Sequence, residues 1–164
     1  MLDKIQRQAR ELIIADIDKI IEKYNKKADK EKAKRDNAYI TWCGDSRCYC
    51  YNQNSGLKQL TKDHSYVQEL VDKGEITRKQ ALNHQDGSII TRCLGDVDAI
   101  PEPDFVKYKI NDGDVFMSCS DGLCGYCTDK SIEKDLLNSF DNISLCKTNL
   151  LKLALETGGH DNIT

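Results

Sequence analysis

The order of the hydrophobic patterns constrains the fold of this chain more than any other feature of its sequence. Apolar residues recur at three- and four-residue spacing from the first positions to Tyr24, which predicts one amphipathic helix. Runs of β-branched and aromatic residues follow at 39–43 and 47–51 and are typical of strands. The turn-forming residues 52–56 then predict an antiparallel hairpin with the run 57–60.

The rest of the chain alternates between helical and strand patterns. Ser65 and Thr77 each stand three residues before a glutamine, so two capping boxes predict two short helices. The later elements are expected as strands at 88–94, 105–110 and 115–120, a turn at 111–114, and helices at 129–140 and 147–157. The residues expected to face the core from the last two helices are Ile132, Leu136, Leu137, Phe140, Leu150, Leu151, Ala154 and Leu155. This order predicts a single α+β domain over residues 1–164, with helices covering antiparallel sheet.

Charge and hydropathy exclude several classes of protein. Charged residues fill the positions after Tyr24, so we expect the segment 1–37 to be an amphipathic helix followed by a charged linker. The chain has 24 Lys and Arg against 27 Asp and Glu, and its net charge of -3 gives no electrostatic footprint for nucleic acid. No apolar run approaches the roughly 20 residues that cross a bilayer, so no membrane partner is expected. The first residues also contain no apolar signal core, and we therefore expect a cytoplasmic location.

Eight cysteines are spread over the sequence. Cys48 and Cys50 alternate with tyrosines in a predicted strand, where a free cysteine behaves as a small buried hydrophobe. Since thiols stay reduced in the cytoplasm, we expect mostly reduced core cysteines. Cys119, Cys124 and Cys127 keep a zinc or redox site open as a minor alternative, although no second pair or histidine follows at ligand spacing.

Three short acidic motifs stand at the ends of predicted elements, and they contain Asp45, Asp121 and Asp161. Asp121 is followed by Gly122, which is expected to let the backbone turn tightly beside the carboxylate. Each motif alone is typical of an ordinary turn. Three carboxylates held at strand ends without His or Cys partners would, together, suit Mg²⁺ or Mn²⁺.

Six short strings in this order carry a resemblance to a known family. They are Gly44-Asp-Ser-Arg47, Leu60-Thr-Lys-Asp-His64, Ile90-Thr-Arg-Cys-Leu-Gly95, Asn111-Asp-Gly-Asp114, Ser120-Asp-Gly-Leu123 and Asp161-Asn-Ile-Thr164. In their order and approximate spacing they resemble the metal-dependent type 2C protein serine/threonine phosphatases. The stretch 60–94 looks like the helical flap-like segment of the bacterial-type members.

The resemblance implies a four-layer α/β/β/α sandwich with a two-metal site for Mg²⁺ or Mn²⁺ at one end of the central sheets. In that family, a metal-activated water hydrolyses the phosphate monoesters of serine and threonine. The implied partners are proteins that carry phosphoserine or phosphothreonine, together with a cognate serine/threonine kinase system.

The resemblance also implies roles for individual residues. Asp121 and Asp161 would bind a shared core metal, and Asp45 would join Asp121 in holding a third, weaker metal. Asn162 and Gly122 would support the site, and no side chain is assigned as a catalyst. Scaffold or flap contacts, rather than catalysis, are implied for Asp63, His64 and Arg92.

The sequence departs from the family pattern at its ends. Upstream of Asp45 it has neither the early arginine and acidic residue nor the Asp-Gly-x-Gly motif whose aspartate bridges both metals. The usual Gly-x-Thr-Thr strand is also missing before the first motif, and the sequence stops where the last strand would begin. We therefore expect an N-terminally truncated, partial phosphatase domain with half of its metal site and little or no activity.

Two other functions remain open at this point. The missing bridging aspartate favours a non-catalytic, phosphatase-like binding module. The Cys119, Cys124 and Cys127 cluster favours a cysteine-based zinc or redox protein.

Overall fold

The computed structural model describes residues 37–95 and 102–164. Its strands are β1 (Asn37–Trp42), β2 (Arg47–Asn52), β3 (Gly56–Gln59), β4 (Asp104–Lys109) and β5 (Val115–Cys119). Its helices are α1 (Tyr66–Asp72), α2 (Arg78–Ala81), α3 (Asp121–Cys124), α4 (Asp129–Ser139) and α5 (Ile143–Glu156). This mixture of elements confirms the α+β class. The helix and linker predicted for 1–37 lie outside the described residues, apart from Asn37 in β1.

The strands form two antiparallel sheets. One sheet has the order β3-β2-β5, and the other is the pair β1-β4. The predicted hairpin is confirmed, because β2 and β3 pair with Tyr49 opposite Gln59 and Asn52 opposite Gly56. Strands β4 and β5 are neighbours in sequence but belong to different sheets, so the turn between them carries the chain from one sheet to the other.

That crossing turn is fixed by hydrogen bonds to Asp114. The Asn111 N–H donates to Asp114 Oδ2 at 2.8 Å, and Gly113 takes a positive φ of 82° that a side chain would make unfavourable. Asn52, at the end of β2, donates from Nδ2 to Asp114 Oδ1 at 2.8 Å. The turn is therefore tied to the three-stranded sheet as well as to the strands it connects.

The two sheets lie against each other through aromatic contacts. Tyr108 of β4 meets Phe116 of β5 edge to face, with ring centroids 5.8 Å apart. Lys58 of β3 lies over the Tyr108 ring, with Nζ 5.7 Å from the ring centroid. Tyr49 and Tyr51 point to the other face of β2, so the central strand is buried on both sides.

Helices α4 and α5 cover that other face of the three-stranded sheet. The buried cluster between them comprises Tyr49, Tyr51, Cys119, Leu123, Cys124, Cys127, Ile132, Leu136, Cys146, Leu150 and Ala154. Leu57, Met117, Phe140, Leu153 and Ile163 pack around it. The domain therefore consists of successive layers, namely helices α4 and α5, then the three-stranded sheet, then the β1-β4 pair.

Three leucines predicted to face the core are exposed instead. Leu137, Leu151 and Leu155 are 55%, 45% and 58% exposed. Each directly follows a buried residue of its helix, and successive helical residues point about 100° apart. The buried faces consist of residues four apart, namely Ile132 and Leu136 in α4, and Cys146, Leu150 and Ala154 in α5.

Other predicted boundaries also differ from the structure. Helix α5 begins at Ile143 rather than 147, because the Asn142 side chain caps it by accepting from the Leu145 N–H. The strand predicted at 88–94 is wrong, since only an isolated bridge between Ser65 and Ile90 forms there. Ile89 and Ile90 are about half exposed, so their β-branched side chains lack the buried face that stabilises a strand.

Within the described residues, no helix combines the length and the apolar character that a membrane span requires.

Candidate functional site

Residues from all three acidic motifs line one cavity. Its volume is about 770 Å³, and Asp45, Asp121 and Asp161 all line it. The rest of its wall comes from Arg47 and Gln59, from the segment 63–88, which contains α1 and α2, and from residues 124–130 around the start of α4. The three carboxylates predicted from separate motifs therefore lie in the wall of the same cavity.

Asp45 lies in the turn between β1 and β2. The preceding Gly44 has a φ of 125°, a conformation that glycine adopts without steric cost. Its N–H donates to His64 Nδ1 at 3.1 Å, and the His64 N–H donates back to the Gly44 carbonyl at 3.0 Å. His64 is 5% exposed, so this exchange of hydrogen bonds fixes the turn from a buried position.

The other nitrogen of the buried histidine faces an aspartate. Nε2 of His64 lies 3.2 Å from Asp104 Oδ2, on the side of the ring opposite Gly44. Arg92 Nη1 also lies 3.2 Å from the Asp104 carboxylate. Both side chains are thereby held against Asp104, the first residue of β4.

Asp121 is the first residue of α3, not part of a turn as predicted. Its neighbour Gly122 is helical with an ordinary φ, so a tight turn is not the reason for glycine there. A Cβ at position 122 would instead collide with the Asn162 carbonyl group and lie 3.3 Å from Ile163 Cα. Glycine is required because another segment of backbone crosses at this point.

That crossing segment carries Asp161. The Ser120 N–H donates to the Thr164 carbonyl, the Thr164 N–H donates to Ser120 Oγ, and Ser120 Oγ donates to the Asn162 carbonyl, all at 3.1 Å. The segment forms no regular strand, but these bonds hold it against the start of α3. Asp161 Oδ1 accepts from the Asn162 N–H at 2.7 Å, so the carboxylate sits at the base of the docked segment.

The carboxylates influence one another electrostatically. Burial raises the pKa of Asp45, and the negative charge of Asp121 raises it further. A cation would relieve this repulsion, and carboxylate oxygens are the donors that Mg²⁺ and Mn²⁺ prefer. Among residues 37–95 and 102–164, however, no three His, Cys, Asp or Glu side chains converge closely enough to hold a metal ion. The donors therefore fit such a metal in kind, but the described residues do not make up a full ligand set.

Arg47 organises the wall beside Asp45. Its Nε lies 2.9 Å from Asp63 Oδ1 and its Nη2 lies 2.6 Å from Asp63 Oδ2, which is a bidentate ion pair. Nη1 donates to the Tyr49 hydroxyl at 3.0 Å, and that hydroxyl donates to Asp129 Oδ1 at 3.1 Å. Burial lowers the pKa of Arg47, but the hydrogen bond with Asp63 and the electrostatic interactions with Tyr49, Asp63 and Cys124 together outweigh it and raise the pKa above its ordinary value.

The cavity also has basic residues that no motif indicated. Arg78 and Lys79 come from the first turn of α2, and Lys130 comes from α4. The Thr77 capping box, confirmed with both of its hydrogen bonds, fixes where α2 begins and so where the first two of these residues lie. The capping box was predicted from the sequence, but its pattern did not indicate that Arg78 and Lys79 would lie near the acidic motifs.

The eight cysteines, all of which lie in the described residues, form no disulfide. Cys50, Cys119, Cys124, Cys127 and Cys146 are buried, and Cys43, Cys48 and Cys93 are half-buried. This agrees with the expectation of core thiols. The three-cysteine zinc alternative has no support in the described residues, since they contain no metal-binding cluster.

Comparison with known proteins gives a consistent family. The family model for protein phosphatase 2C matches residues 28–163. The chain is 40% identical over 121 residues to the serine/threonine phosphatase stp of Listeria welshimeri, which covers 74% of this chain and 47% of that protein. The chain spans about half the length of this relative.

Solved structures agree with the sequence comparison. The serine/threonine phosphatase Stp1 from Staphylococcus aureus superposes with a TM-score of 0.72 at 33% identity, covering 80% of this chain and 50% of that one. The catalytic domain of the serine/threonine phosphatase PstP, solved with two manganese ions, has a TM-score of 0.66 at 30% identity and covers 78% and 51% of the two chains. This likeness confirms the expected type 2C phosphatase fold over the part that the chain covers.

Proposed function

The chain belongs to the protein phosphatase 2C family, and from this premise we propose that it is a metal-dependent phosphatase for phosphoserine and phosphothreonine in proteins. The observation that carries the proposal is that Asp45, Asp121 and Asp161, from three separate family motifs, line one cavity. Further support comes from the related PstP domain, which was solved with two manganese ions.

Within this proposal, Asp121 and Asp161 hold one Mg²⁺ or Mn²⁺, and Asp45 joins Asp121 at a weaker site. Gly122 and Asn162 act as supports, since the close approach of their backbones holds the Asp161 segment in place. Ions of this kind, when bound, lower the pKa of water and neutralise charge on a transferring phosphoryl group.

The chain's own basic residues contribute to substrate binding. Arg78, Lys79 and Lys130 line the same cavity as the carboxylates. Guanidinium and ammonium groups bind phosphate oxygens through charge-assisted hydrogen bonds. We therefore propose that these three residues bind the phosphate of the substrate, while the acidic residues bind the metal ions.

We propose that the 164-residue chain by itself is weak or inactive. A cation held by few carboxylates binds in the millimolar rather than the micromolar range. The described residues lack a converging group of three ligands, and the sequence lacks the family's bridging aspartate. The lack of the bridging aspartate also favours a second candidate, a non-catalytic phosphatase-like module that binds phosphoproteins.

A manganese titration tests the metal end of the proposal. Mn²⁺ binding is followed by the loss of the free-ion electron paramagnetic resonance signal in the presence of the chain. Asp121→Asn should weaken binding by at least about tenfold, since it removes a charged ligand. Asp141→Asn is the matched control, because Asp141 is exposed and does not line the cavity. Equal manganese affinity in the two variants would refute the assignment of Asp121.

Hydrolysis assays separate the two candidate functions. Turnover of p-nitrophenyl phosphate and of a phosphothreonine peptide is measured with saturating Mn²⁺. We expect hydrolysis at most marginally above background, with the manganese-dependent part absent in Asp121→Asn. Peptide binding with no turnover would support the binding module instead. Robust turnover by the chain alone would show that another residue replaces the bridging aspartate.

The partners and location follow from the same proposal. A phosphatase for phosphoserine and phosphothreonine acts with a serine/threonine kinase, which supplies the phosphorylated protein. Thiols that form no disulfide suit a reducing compartment, so we place the protein in the cytoplasm.

A further inference from the structure

His64 is a buried residue next to the proposed metal site, and the proposed function makes no use of it. It is 5% exposed and does not line the 770 Å³ cavity, so its side chain does not contact a substrate held there. The resemblance implied only scaffold or flap contacts for it. Two of its hydrogen bonds nevertheless end on Gly44, the residue directly before Asp45.

The glycine before Asp45 makes the direction of that carboxylate easy to change. Gly44 has a φ of 125°, and glycine reaches this and many other backbone conformations at little steric cost. A rotation about the bonds of Gly44 swings Asp45 relative to β1. The place of Asp45 in the cavity wall therefore depends on a constraint from outside the turn.

His64 supplies that constraint on both sides of the glycine. The Gly44 N–H, which belongs to the preceding peptide group, donates to His64 Nδ1 at 3.1 Å. The Gly44 carbonyl, which belongs to the peptide group shared with Asp45, accepts from the His64 N–H at 3.0 Å. Since a peptide group is planar, the second bond also fixes the Asp45 nitrogen and Cα. One residue thus sets the backbone before and after Gly44.

The imidazole ring is itself held from several elements. The Trp42 ring at the end of β1 stacks on it with centroids 6.1 Å apart, and Trp42 Nε1 donates to the Lys62 carbonyl at 2.7 Å. Asp104 Oδ2, at the start of β4, lies 3.2 Å from Nε2. The His64 carbonyl accepts from the Thr91 N–H at 2.8 Å. The ring therefore has a fixed place from which to hold the turn.

We propose that His64 is a positioning residue that directs the Asp45 carboxylate into the cavity wall it shares with Asp121. This inference rests on the proposed function, in which these two aspartates hold the weaker metal site. The essential atom is Nδ1, the acceptor for the Gly44 N–H. Without that acceptor the peptide group before Gly44 can rotate, and Asp45 moves with it. Loss of the acceptor therefore weakens metal binding through Asp45.

Two substitutions at position 64 separate the acceptor from the bulk of the ring. His64→Asn places Oδ1 near the position of Nδ1 and keeps an acceptor, whereas His64→Leu fills the space without one. Mn²⁺ binding is followed by the loss of the free-ion electron paramagnetic resonance signal. We expect His64→Leu to weaken binding at the weaker site about tenfold, the lower end for residues that orient metal ligands, and His64→Asn to restore most of it. Equal losses in the two variants would overturn the proposal.

Ser139→Ala is the matched control for the loss of a buried hydrogen bond. Ser139 is 4% exposed, its Oγ donates to the Asp135 carbonyl at 2.6 Å, and it does not line the cavity. Its substitution should leave manganese binding unchanged. A loss as large as that in His64→Leu would show that any buried hydrogen bond matters equally, and the positioning role would be wrong.

A double-mutant cycle with Asp45→Asn distinguishes positioning from general stability. In the Asp45→Asn background, His64→Leu should change manganese affinity by less than about twofold, because the carboxylate that it directs is gone. Equal losses in both backgrounds would overturn the positioning role. If Asp45→Asn alone leaves manganese binding unchanged, the proposed metal role of Asp45 fails and this inference fails with it. A loss in Asp45→Asn without one in His64→Leu overturns the positioning role alone.

Nuclear magnetic resonance of the unaltered, metal-free chain decides the matter if His64→Leu does not fold. With ¹⁵N labelling, a scalar coupling across the hydrogen bond should connect the Gly44 nitrogen to His64 Nδ1. The Gly44 amide should also exchange at least about tenfold more slowly than in an unfolded chain. Fast exchange without a detectable coupling would show that the imidazole does not hold the turn. Neither measurement depends on metal binding or on phosphatase activity.

Discussion

The ion pair between Arg47 and Asp63 should be the most costly polar contact to break around the cavity. The carboxylate is 9% exposed and the guanidinium 18%, and Asp63 also accepts from Gln59 Nε2 at 3.1 Å. Removing one partner of a buried pair costs about 3–5 kcal/mol, because the other charge stays buried without compensation. Arg47 keeps its bond to the Tyr49 hydroxyl, so we expect Asp63→Asn to lower the free energy of unfolding by about 3 kcal/mol, near the lower end of that range.

Urea denaturation measures this change well in the present chain. Its only tryptophan, Trp42, donates from Nε1 to the Lys62 carbonyl at 2.7 Å, next to Asp63, and so reports on this region by fluorescence. In thermal unfolding the same loss should lower Tm by about 6–12 °C for a chain of this size.

Asp72→Asn is the control, because it makes the same substitution in an ion pair with the same nitrogen–oxygen distance of 2.6 Å. Asp72 Oδ2 lies 2.6 Å from Lys62 Nζ, but these side chains are 41% and 59% exposed. Exposed pairs contribute about 0–1 kcal/mol, since water and salt screen them. A double variant, Arg47→Met with Asp63→Leu, should recover part of the loss because no charge is left buried. If Asp63→Asn and Asp72→Asn differ by less than about 0.5 kcal/mol, burial does not set the strength of this pair and the reasoning is wrong.

Three further changes test other parts of the structure. Leu136→Ala should cost about 2–5 kcal/mol and Leu137→Ala less than about 0.5 kcal/mol in urea denaturation, since only the first is buried; similar values would contradict the assigned helix face. Gly122→Ala should cost about 1–3 kcal/mol and speed exchange of the Thr164 amide, because its Cβ would lie 2.9 Å from the Asn162 carbonyl carbon; unchanged exchange would contradict the close backbone approach. Partial burial raises the pKa of Asp114, but hydrogen bonds from Asn111 and Asn52 outweigh it and hold the pKa below its usual range. The stability that these bonds provide is present above the unfolded pKa near 4 and is lost as the pH falls through the lower folded pKa. Asp114→Asn should therefore reduce the loss of unfolding free energy between about pH 5 and pH 3. If the unfolding free energy of the variant falls as steeply over this pH range as that of the unaltered chain, Asp114 does not contribute to it in this way.

Sequence reasoning was most reliable where one residue pattern has one structural solution. The turn formers at 52–56 produced the predicted hairpin, and the Thr77 box produced the predicted helix start. Adjacent leucines in α4 and α5 were ambiguous, because either member of a pair fits an apolar stripe until the position of the sheet is known. Counting Cys146 as a core residue would have resolved α5, since it lies four positions before Leu150.

Of the residues that line the cavity, the sequence indicated chiefly the acidic ones. Short motifs indicated Asp45, Asp121 and Asp161 individually, and the fold places all three in one cavity wall. The basic half comes from α2 and α4, which lie outside those motifs in the sequence. No local pattern relates Arg78 or Lys130 to a carboxylate, so this half emerges only from tertiary structure.

Arg47 links the two halves through a single guanidinium. It lies two residues after Asp45, binds Asp63 at the base of the segment that carries α1 and α2, and donates to the Cys124 carbonyl at 3.4 Å at the end of α3. The same group reaches α4 through the Tyr49 hydroxyl and Asp129. Because its planar fork bonds in fixed directions, the relative positions of these elements depend on one another. The motif Gly44-Asp-Ser-Arg47 therefore combines a candidate metal ligand with the residue that connects it to the rest of the cavity wall.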